Sequence, residues 1–323
     1  MVHSEIQRIQ QMLEEQGYIA DRAIATSIYL AMRLGKPLLV EGPAGVGKTE
    51  IAKVMASALK TDLIRLQCYE GLDATTALYE WNYQRQLLYL KMEEHTDRSV
   101  EEKEATIFSE PFLLKRPLLQ AITHHQAPVL LIDELDRADQ EFESFLLEVL
   151  SDWQITIPEI GTIKATHIPY VVITSNRTRE LSDALRRRCL YLWIDYPSFE
   201  KELAIVRTKV PGLEERLARQ ICAFMQIIRR LHLEKVPGIA ETLDWAAALL
   251  ALHRDHLDQA TIEETLGVIF KHQEDAQQVR SKWLGPILQE LLTLEQGGGE
   301  WSQSVLAEIG GRLGARRSFA TGT

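Results

Sequence analysis

The sequence predicts an α/β protein in which a five-stranded parallel sheet is followed by an all-helical region. Three observations indicate this fold class: short apolar runs alternate with segments of helical spacing, a glycine-rich loop follows the first run, and strand patterns stop at Ser198. Short apolar strands separated by helices are typical of buried parallel sheets. A chain of 323 residues, 46% of them hydrophobic, has room for one large domain or two ordinary ones.

The elements follow this pattern in chain order. Residues 5 to 34 are predicted to be mostly helical, with a break at Gly17 and Tyr18. A long segment, residues 69 to 126, separates the second strand from the third and exceeds a simple crossover helix. The expected strands are residues 38–40, 63–66, 129–132, 170–173 and 190–194.

The later part of the chain divides into three predicted regions. A hairpin is expected between Ile155 and Thr166, because β-type runs flank a turn there. Helical spacing then dominates to about Leu294, and three consecutive glycines at residues 297–299 indicate a flexible break before a short helix around Val305 to Ile309. The expected domains are an α/β domain over residues 1–196, a helical domain over 197–295 and a flexible tail over 296–323.

The loop after the first strand fits the phosphate-loop pattern G-x-x-x-x-G-K-[ST]. Its glycines let backbone N–H groups approach phosphate oxygens closely, and the following helix points its positive end at the same charge. Lys48 is expected to reach the β and γ phosphates, and Thr49 to ligate Mg²⁺. The pattern predicts a bound nucleoside triphosphate at Gly42, Pro43, Ala44, Gly45, Val46, Gly47, Lys48 and Thr49.

Two adjacent carboxylates, Asp133 and Glu134, follow the third strand, at the edge where parallel sheets bind ligands. We expect Asp133 to support Mg²⁺ and Glu134 to orient the attacking water, because phosphoryl hydrolysis needs a metal and an acceptor beside the nucleophile. An acidic pair also commonly starts a helix, so its functional meaning depends on the phosphate loop upstream. Asn176 follows the fourth strand and is expected to hold the water or the γ phosphate, although an Asx turn explains the same residue.

The composition disfavours several classes of protein. A formal net charge of −10 argues against general affinity for nucleic acid. The first residues lack a signal-peptide pattern, and the strongest apolar run is far too short to span a bilayer. Three widely separated cysteines indicate buried thiols rather than a disulfide framework or a zinc site. We therefore expect a cytoplasmic protein with no nucleic-acid partner and no membrane span.

With these motifs the chain resembles the AAA+ ATPases, and within them the MoxR family, from its first helices to about Leu294. The resemblance rests on the phosphate loop, residues 133–136, the predicted hairpin, Asn176 in the sensor 1 position and residues 183–188. The segment around residues 71–83 looks like the family's helix 2 insert and most resembles the CoxD-like branch, which is associated with carbon monoxide dehydrogenase maturation. The implied fold is a five-stranded parallel P-loop (AAA+) core with a helix 2 insert and a pre-sensor 1 hairpin, followed by an all-α lid domain.

The resemblance implies a Mg²⁺-dependent ATPase that forms a homo-oligomeric ring, usually a hexamer, with ATP between neighbours. Arg188 matches the arginine finger that reaches the next subunit's γ phosphate, with Arg187 as the second choice; a charged helix end explains the same arginines. Gln67 matches a position that can hold the catalytic glutamate away from water, or it simply ends its strand. Relatives commonly carry a sensor 2 arginine in the region that corresponds to Pro237–Trp245, where this chain has none, and no residue is assigned that role.

The expected function is ATP-driven remodelling of a client protein through the helix 2 insert or the hairpin. By resemblance, the partner is a von Willebrand factor A (VWA) domain protein and the client is a metalloenzyme that awaits its cofactor. Two alternatives remain at this point: a nucleic-acid-associated AAA+ motor or loader, which the acidic composition disfavours, and a small-molecule P-loop kinase, which poorly explains Glu134 and the arginine triplet. The candidate client contacts are Tyr79, Trp81, Tyr83 and Tyr89, although aromatic residues in such an insert more often serve local packing.

Overall fold

The computed structural model describes residues 2–296 and 301–315, and it confirms the predicted fold class. The five expected strands form one sheet in which every neighbouring pair is parallel. All strands, in chain order, are β1 (Leu38–Glu41), β2 (Leu63–Gln67), β3 (Tyr79–Trp81), β4 (Leu113–Lys115), β5 (Val129–Asp133), β6 (Gln154–Ile157), β7 (Gly161–Lys164), β8 (Tyr170–Ser175) and β9 (Leu190–Trp193). Their order across the main sheet is β2-β5-β8-β1-β9.

Helices connect these strands and make up the rest of the described chain. Before the last main-sheet strand they are α1 (Val2–Glu15), α2 (Arg22–Leu34), α3 (Lys48–Leu59), α4 (Ala74–Leu78), α5 (Tyr83–Met92), α6 (Val100–Ile107), α7 (Pro117–Ile122), α8 (Gln140–Asp152) and α9 (Asp183–Arg188). After it come α10 (Phe199–Lys209), α11 (Glu215–Ile228), α12 (Ile239–Ala251), α13 (Gln259–Ile269), α14 (Gln273–Gln278), α15 (Leu284–Gln296) and α16 (Gln303–Ala315).

The register of the sheet brings several strand ends to one edge. Gln67 pairs with Asp133 across β2 and β5, and Glu41 at the end of β1 pairs with both Ser175 and Trp193. The central strands β1, β5 and β8 are almost fully buried, as expected for parallel strands covered by helices on both faces. Polar residues that follow these strands therefore meet at the carboxyl edge of the sheet.

The long insert between β2 and β5 is folded. Its strands β3 and β4 pair in antiparallel fashion, with Trp81 opposite Leu113. Three of the four candidate contact aromatics pack locally: Trp81 lies edge-on against Phe108, Tyr79 lies against Trp81, and Tyr89 lies against Phe112. Among the four, Tyr83 is the one with an exposed side chain.

The expected hairpin is present as the antiparallel pair β6 and β7, which meets at a turn that ends in Gly161. Gly161 has a φ of +97°, a conformation that favours glycine. The hairpin follows α8, whose apolar face is buried, and precedes β8 as the sequence pattern predicts.

The chain divides into two compact units. The first comprises Met1–Gln16, Ala20–Gly42 and Lys48–Ile194, and the second comprises Gly17–Ile19, Pro43–Gly47 and Asp195–Thr323. The second unit has its own helical core around Phe224 and Trp245. Among the described residues, no helix combines the length and the apolar character that a bilayer crossing requires.

The expected flexible tail, residues 296–323, needs a correction. Helix α16 lies within it and contacts α11, with Leu306, Ile309 and Leu313 buried in the core of the second unit. Burial of these three side chains stabilises the segment as a packed helix. The three consecutive glycines that indicated a break lie outside the described residues.

Candidate active site

The side chain of Lys48 lies at the start of α3, with only 6% of its surface exposed. Its ammonium donates hydrogen bonds to the Gly42 carbonyl at 2.8 Å and to Asn176 Oδ1 at 2.7 Å. Burial lowers the pKa of Lys48, and the nearby charges of Asp136, Asp133 and Glu134 oppose that shift. The structure therefore places the Lys48 ammonium between the carbonyl of Gly42 and the side chain of Asn176, which directly follows β8.

Glycine is required at position 42 for a steric reason. A Cβ built on Gly42 would lie 2.0 Å from the carbonyl oxygen of Ile194, and the φ there is +157°. Gly45 and Gly47 have φ values of +73° and +90°, which side chains rarely adopt. These three backbone conformations turn the chain sharply between β1 and α3, as a phosphate loop requires.

Asp133 and Thr49 lie together, although they are far apart in the sequence. Thr49 Oγ1 donates to Asp133 Oδ1 at 2.9 Å, and Thr174 Oγ1 donates to the same oxygen at 2.6 Å. The other carboxylate oxygen accepts from the guanidinium of Arg65 at 2.6 Å. A hydroxyl and a carboxylate side by side are oxygen ligands of the kind Mg²⁺ prefers, so Thr49 and Asp133 fit the predicted metal site.

Glu134 adopts a left-handed backbone conformation, with φ of 55° and ψ of 48°. Its N–H donates to Thr174 Oγ1 at 2.9 Å, which helps to hold this unfavourable conformation. Its carboxylate accepts from Asn176 Nδ2 at 3.3 Å and from Gln67 Nε2 at 3.1 Å, and it pairs with Arg137 Nε at 3.0 Å. The acid that follows the strand is thus turned toward the polar residues of the neighbouring strand ends.

The structure brings together five of the residues that the sequence singled out: Lys48, Thr49, Asp133, Glu134 and Asn176. Gln67 also bonds to Glu134, at the place the family resemblance implied.

Three residues in the same network had not been predicted: Thr174, Arg65 and Arg137. Thr174 had a usable signal, because it stands two positions before Asn176 at the end of β8, and side chains two positions apart in extended chain point to the same face of the sheet. Arg65 had a weaker one, since it alternates with buried apolar residues along β2.

The three arginines of α9 have different surroundings. Arg188 is exposed and donates to Ser151 Oγ at 3.1 Å and to the Ala184 carbonyl at 3.3 Å. Arg187 is exposed as well, whereas Arg186 is less exposed and lies 3.6 Å from the buried carboxylate of Glu41. Within residues 2–296 and 301–315, no hydrogen bond or ion pair joins Arg187 or Arg188 to the residues around Lys48.

The region that was compared with sensor 2 forms the start of α12 in the second unit. Gly238 precedes the helix, and its N–H donates to Glu241 Oε2 at 2.8 Å. Arg229, which immediately follows α11, donates to the carbonyls of Pro237 and Gly238. This arginine is buried in the second unit and pairs with Glu202, so it braces the start of α12.

Comparison with known proteins connects this geometry to a family. Residues 37–189 match the model of the AAA domain (dynein-related subfamily). The chain is 24% identical over 229 residues to the denitrification regulatory protein NirQ of Pseudomonas aeruginosa, a match that covers 68% of this chain and 78% of that protein. It is also 24% identical over 229 residues to the gas vesicle ATPase GvpN of Haloferax mediterranei, covering 67% of this chain and 64% of GvpN.

Other similarities include an uncharacterized protein of Staphylococcus haemolyticus, 24% identical over 227 residues, with 68% of this chain and 78% of that protein covered. Among solved structures, the RuvB Holliday junction branch migration motor of Thermotoga maritima aligns with a TM-score of 0.44 and 18% identity, over 90% of this chain and 83% of that one. The matched domain and the parallel sheet agree: the chain has a P-loop AAA+ fold, followed by a helical region.

Proposed function

We propose that this chain is a MoxR-type AAA+ ATPase that hydrolyses ATP to remodel or mature a client protein. The observation that carries the proposal is the cluster at the carboxyl edge of the sheet, where hydrogen bonds join Lys48 through Asn176 to Glu134 and join Thr49 to Asp133. A cation, a metal-ligand pair, a carboxylate base and a polar amide are the parts that triphosphate hydrolysis requires. The similarity to a gas vesicle ATPase agrees with this chemistry.

Each residue has a distinct role in the proposed reaction. Lys48 exchanges its present acceptors for oxygens of the β and γ phosphates, which its buried position keeps away from competing water. Thr49 and Asp133 hold Mg²⁺, which when bound neutralises charge that develops on the transferred phosphoryl group. Asn176 bonds to both Lys48 and Glu134, so it is placed to align the γ phosphate with the attacking water.

Glu134 orients that water and accepts its proton. In this structure the carboxylate is engaged by Gln67 and Arg137 as well as by Asn176, and hydrolysis requires one of its oxygens to turn to water. The bonds to Gln67 and Arg137 therefore describe a resting arrangement in which the Glu134 carboxylate is held away from the attacking water. Both partners are side chains exposed to solvent, so their release needs no rearrangement of the core.

The proposed site is completed by a neighbouring copy of the chain in a ring, which we propose to be a hexamer. Arg188 and Arg187 are exposed and do not contact the cluster of their own chain, as a residue that serves a neighbour requires. An arginine finger contributes about 10³ to 10⁵ in rate because it stabilises charge in the transition state.

The client and its partner follow from the family resemblance. We propose that a VWA-domain protein works with this chain and that the client is a metalloenzyme that receives its cofactor. Helix α5 of the insert supports a protein-binding role, since its apolar side chains Tyr83, Leu87, Leu88 and Met92 are each at least 60% exposed. Contiguous exposed apolar side chains mark interaction sites more often than isolated ones do.

The proposal is tested by phosphate release and ATP binding in two variants. Glu134→Gln is expected to bind ATP as tightly as the unmodified chain and to hydrolyse it about 10²- to 10⁴-fold more slowly, because the amide cannot accept the proton. Lys48→Ala is expected to lose ATP binding. Glu148→Gln on the exposed side of α8 makes the same charge change and should hydrolyse ATP normally. Unchanged phosphate release by Glu134→Gln would exclude the proposed role of this residue.

A further inference from the structure

A buried carboxylate, Glu41, lies beside the proposed site and has no part in the reaction described above. It is the last residue of β1, immediately before the phosphate loop, and only 1% of it is exposed. Its Oε2 atom is buried and, in the described part of the chain, accepts no hydrogen bond. Burying a carboxylate is costly unless neighbouring charges compensate it, so its presence calls for an explanation.

Two arginines supply the compensating charge. Arg186 lies 3.6 Å and Arg177 3.8 Å from Glu41 Oε2. Each guanidinium also lies over an aromatic ring of β9, Arg186 over Tyr191 at 5.5 Å and Arg177 over Trp193 at 5.8 Å. Burial first, and then the neighbouring Glu41 carboxylate, raise the pKa of the Tyr191 hydroxyl.

This cluster joins three segments with different proposed roles. Glu41 is followed by Gly42 of the phosphate loop, and Arg177 directly follows Asn176. Arg186 is in α9 and is followed by the two candidate finger residues. The backbone carbonyl of Glu41 also accepts a hydrogen bond from the N–H of Ile194 at 2.8 Å, which fixes the backbone of Glu41 beside the end of β9.

Of the two arginines, Arg186 depends more on Glu41. Its ion pair is shorter and its side chain is less exposed, 33% against 47% for Arg177, so solvent screens it less. Helix α9 has six residues, too few to be stable in isolation, and must be held by its contacts. Asn176, in contrast, is already held by its bonds to Lys48 and Glu134.

We propose that Glu41 is a positioning residue for the arginine finger: through Arg186 it fixes α9, so that Arg187 and Arg188 of one subunit reach the nucleotide of the next. Its carboxylate touches neither nucleotide nor water in this role. The inference rests on the proposed function, because it needs a finger that acts between copies. It links the start of a subunit's own phosphate loop to the arginines that the subunit offers to its neighbour.

The test uses mixed assemblies of variants. Glu41→Gln keeps the shape of the side chain and removes its charge. A displacement of about 1 Å can cost about 10²-fold in rate, so we expect ATP hydrolysis to fall by about 10- to 100-fold while the Kd for ATP stays within about twofold. Glu148→Gln serves as the matched control for the loss of one carboxylate.

Mixing distinguishes a faulty finger from a faulty nucleotide site. Lys48→Ala subunits offer intact fingers but bind no ATP, whereas Arg188→Ala subunits bind ATP but offer no finger. We expect Lys48→Ala subunits to restore hydrolysis in Glu41→Gln subunits, and Arg188→Ala subunits to restore none. Arg186→Gln breaks the same ion pair at its more exposed partner and should give the same results in both mixtures. This second variant tests the inference if Glu41→Gln does not fold.

The other outcomes overturn the inference in separate ways. Restoration by Arg188→Ala alone would mean that Glu41 serves its own subunit's nucleotide site. Failure of both mixtures, with a lowered unfolding midpoint, would reduce Glu41 to a structural residue. If Lys48→Ala and Arg188→Ala fail to complement each other, fingers do not act between copies, and the proposed function falls together with the inference.

Discussion

At the scale of single residues, burial decides the chemistry of the thiols. Burial raises the pKa of Cys68 and of Cys189 to about 12, and it raises the pKa of Cys222 well above its usual range. The carboxylate of Asp133 adds to the effect at Cys68, because a second negative charge nearby is unfavourable. These cysteines therefore stay protonated at neutral pH, although two of them lie next to strands that carry site residues.

The predicted consequence is an unusual pH profile for thiol modification. An ordinary thiol, with a pKa of about 8.5, stops gaining reactivity above about pH 9.5 because its thiolate is then nearly complete. In the native chain, Cys189 is the one of the three that is not fully buried, and its rate with Ellman's reagent should be low at pH 8 and should still rise about tenfold per pH unit at pH 9.5, because its folded pKa lies higher. N-acetylcysteine is the control, and a Cys189 profile that levels off near pH 9 would contradict the raised pKa of this thiol.

Local sequence patterns predicted the candidate residues that the structure brings together. Lys48 and Thr49 follow glycines at fixed spacing, and Asp133 with Glu134 ends a continuous apolar run, so neighbouring residues define each group. Thr174 and Arg65 were not predicted because they donate to a residue of another strand, Asp133 of β5. No local sequence pattern gives the order of strands in the sheet. Thr174 could still have been found, because side chains two positions apart along a strand point to the same face, and Asn176 lies two positions further on.

At the scale of elements, the second unit depends on one buried ion pair between two helices. The side chains of Arg229, which caps the end of α11, and of Glu202 in α10 are both buried and joined by two hydrogen bonds of 2.7 Å. Thr242 of α12 donates to the same carboxylate at 2.6 Å, and Arg229 lies over the ring of Tyr196 at 5.2 Å. Loss of either partner would leave an uncompensated charge in the interior.

We therefore predict that Arg229→Ala lowers the free energy of unfolding of the helical unit by about 3–5 kcal/mol, because Glu202 is left buried and unpaired. Arg254→Ala is the matched control: its partner Glu264 and its own side chain are exposed, so the expected loss is about 0–1 kcal/mol. Urea unfolding followed by helical circular dichroism measures both. Equal losses of unfolding free energy in the two variants would show that Arg229 does not compensate the buried charge of Glu202.

The elements themselves differed in how well the sequence predicted them. Short apolar runs between helical patterns predicted all five main-sheet strands, whereas β3 and β4, with three residues each inside the long insert, gave no comparable pattern. The short helix expected around Val305 to Ile309 is part of α16, but its segment was assigned to a flexible tail because three glycines precede it; the tertiary contact with α11 orders the longer helix. Tertiary packing, which local composition does not encode, decides such marginal helices.

At the scale of the whole molecule, the proposal distributes one reaction over two copies of the chain. The first unit holds Lys48 and the proposed metal ligands and carboxylate base, and α9 exposes arginines that do not contact this cluster in their own chain. The match to the AAA domain covers this unit from residue 37 to residue 189, which includes every residue in that network. A chain organised in this way is expected to hydrolyse ATP only when assembled.

The central claim is tested most directly by mixing Lys48→Ala with Arg188→Ala and measuring phosphate release. Each variant alone should be nearly inactive, the first because it binds no ATP and the second because it lacks the finger worth about 10³ to 10⁵ in rate. The mixture should regain part of the unmodified activity, with a maximum at intermediate ratios, because Lys48→Ala subunits offer fingers to neighbours that bind ATP. Mixtures that stay as inactive as the separate variants at every ratio would contradict a site shared between copies.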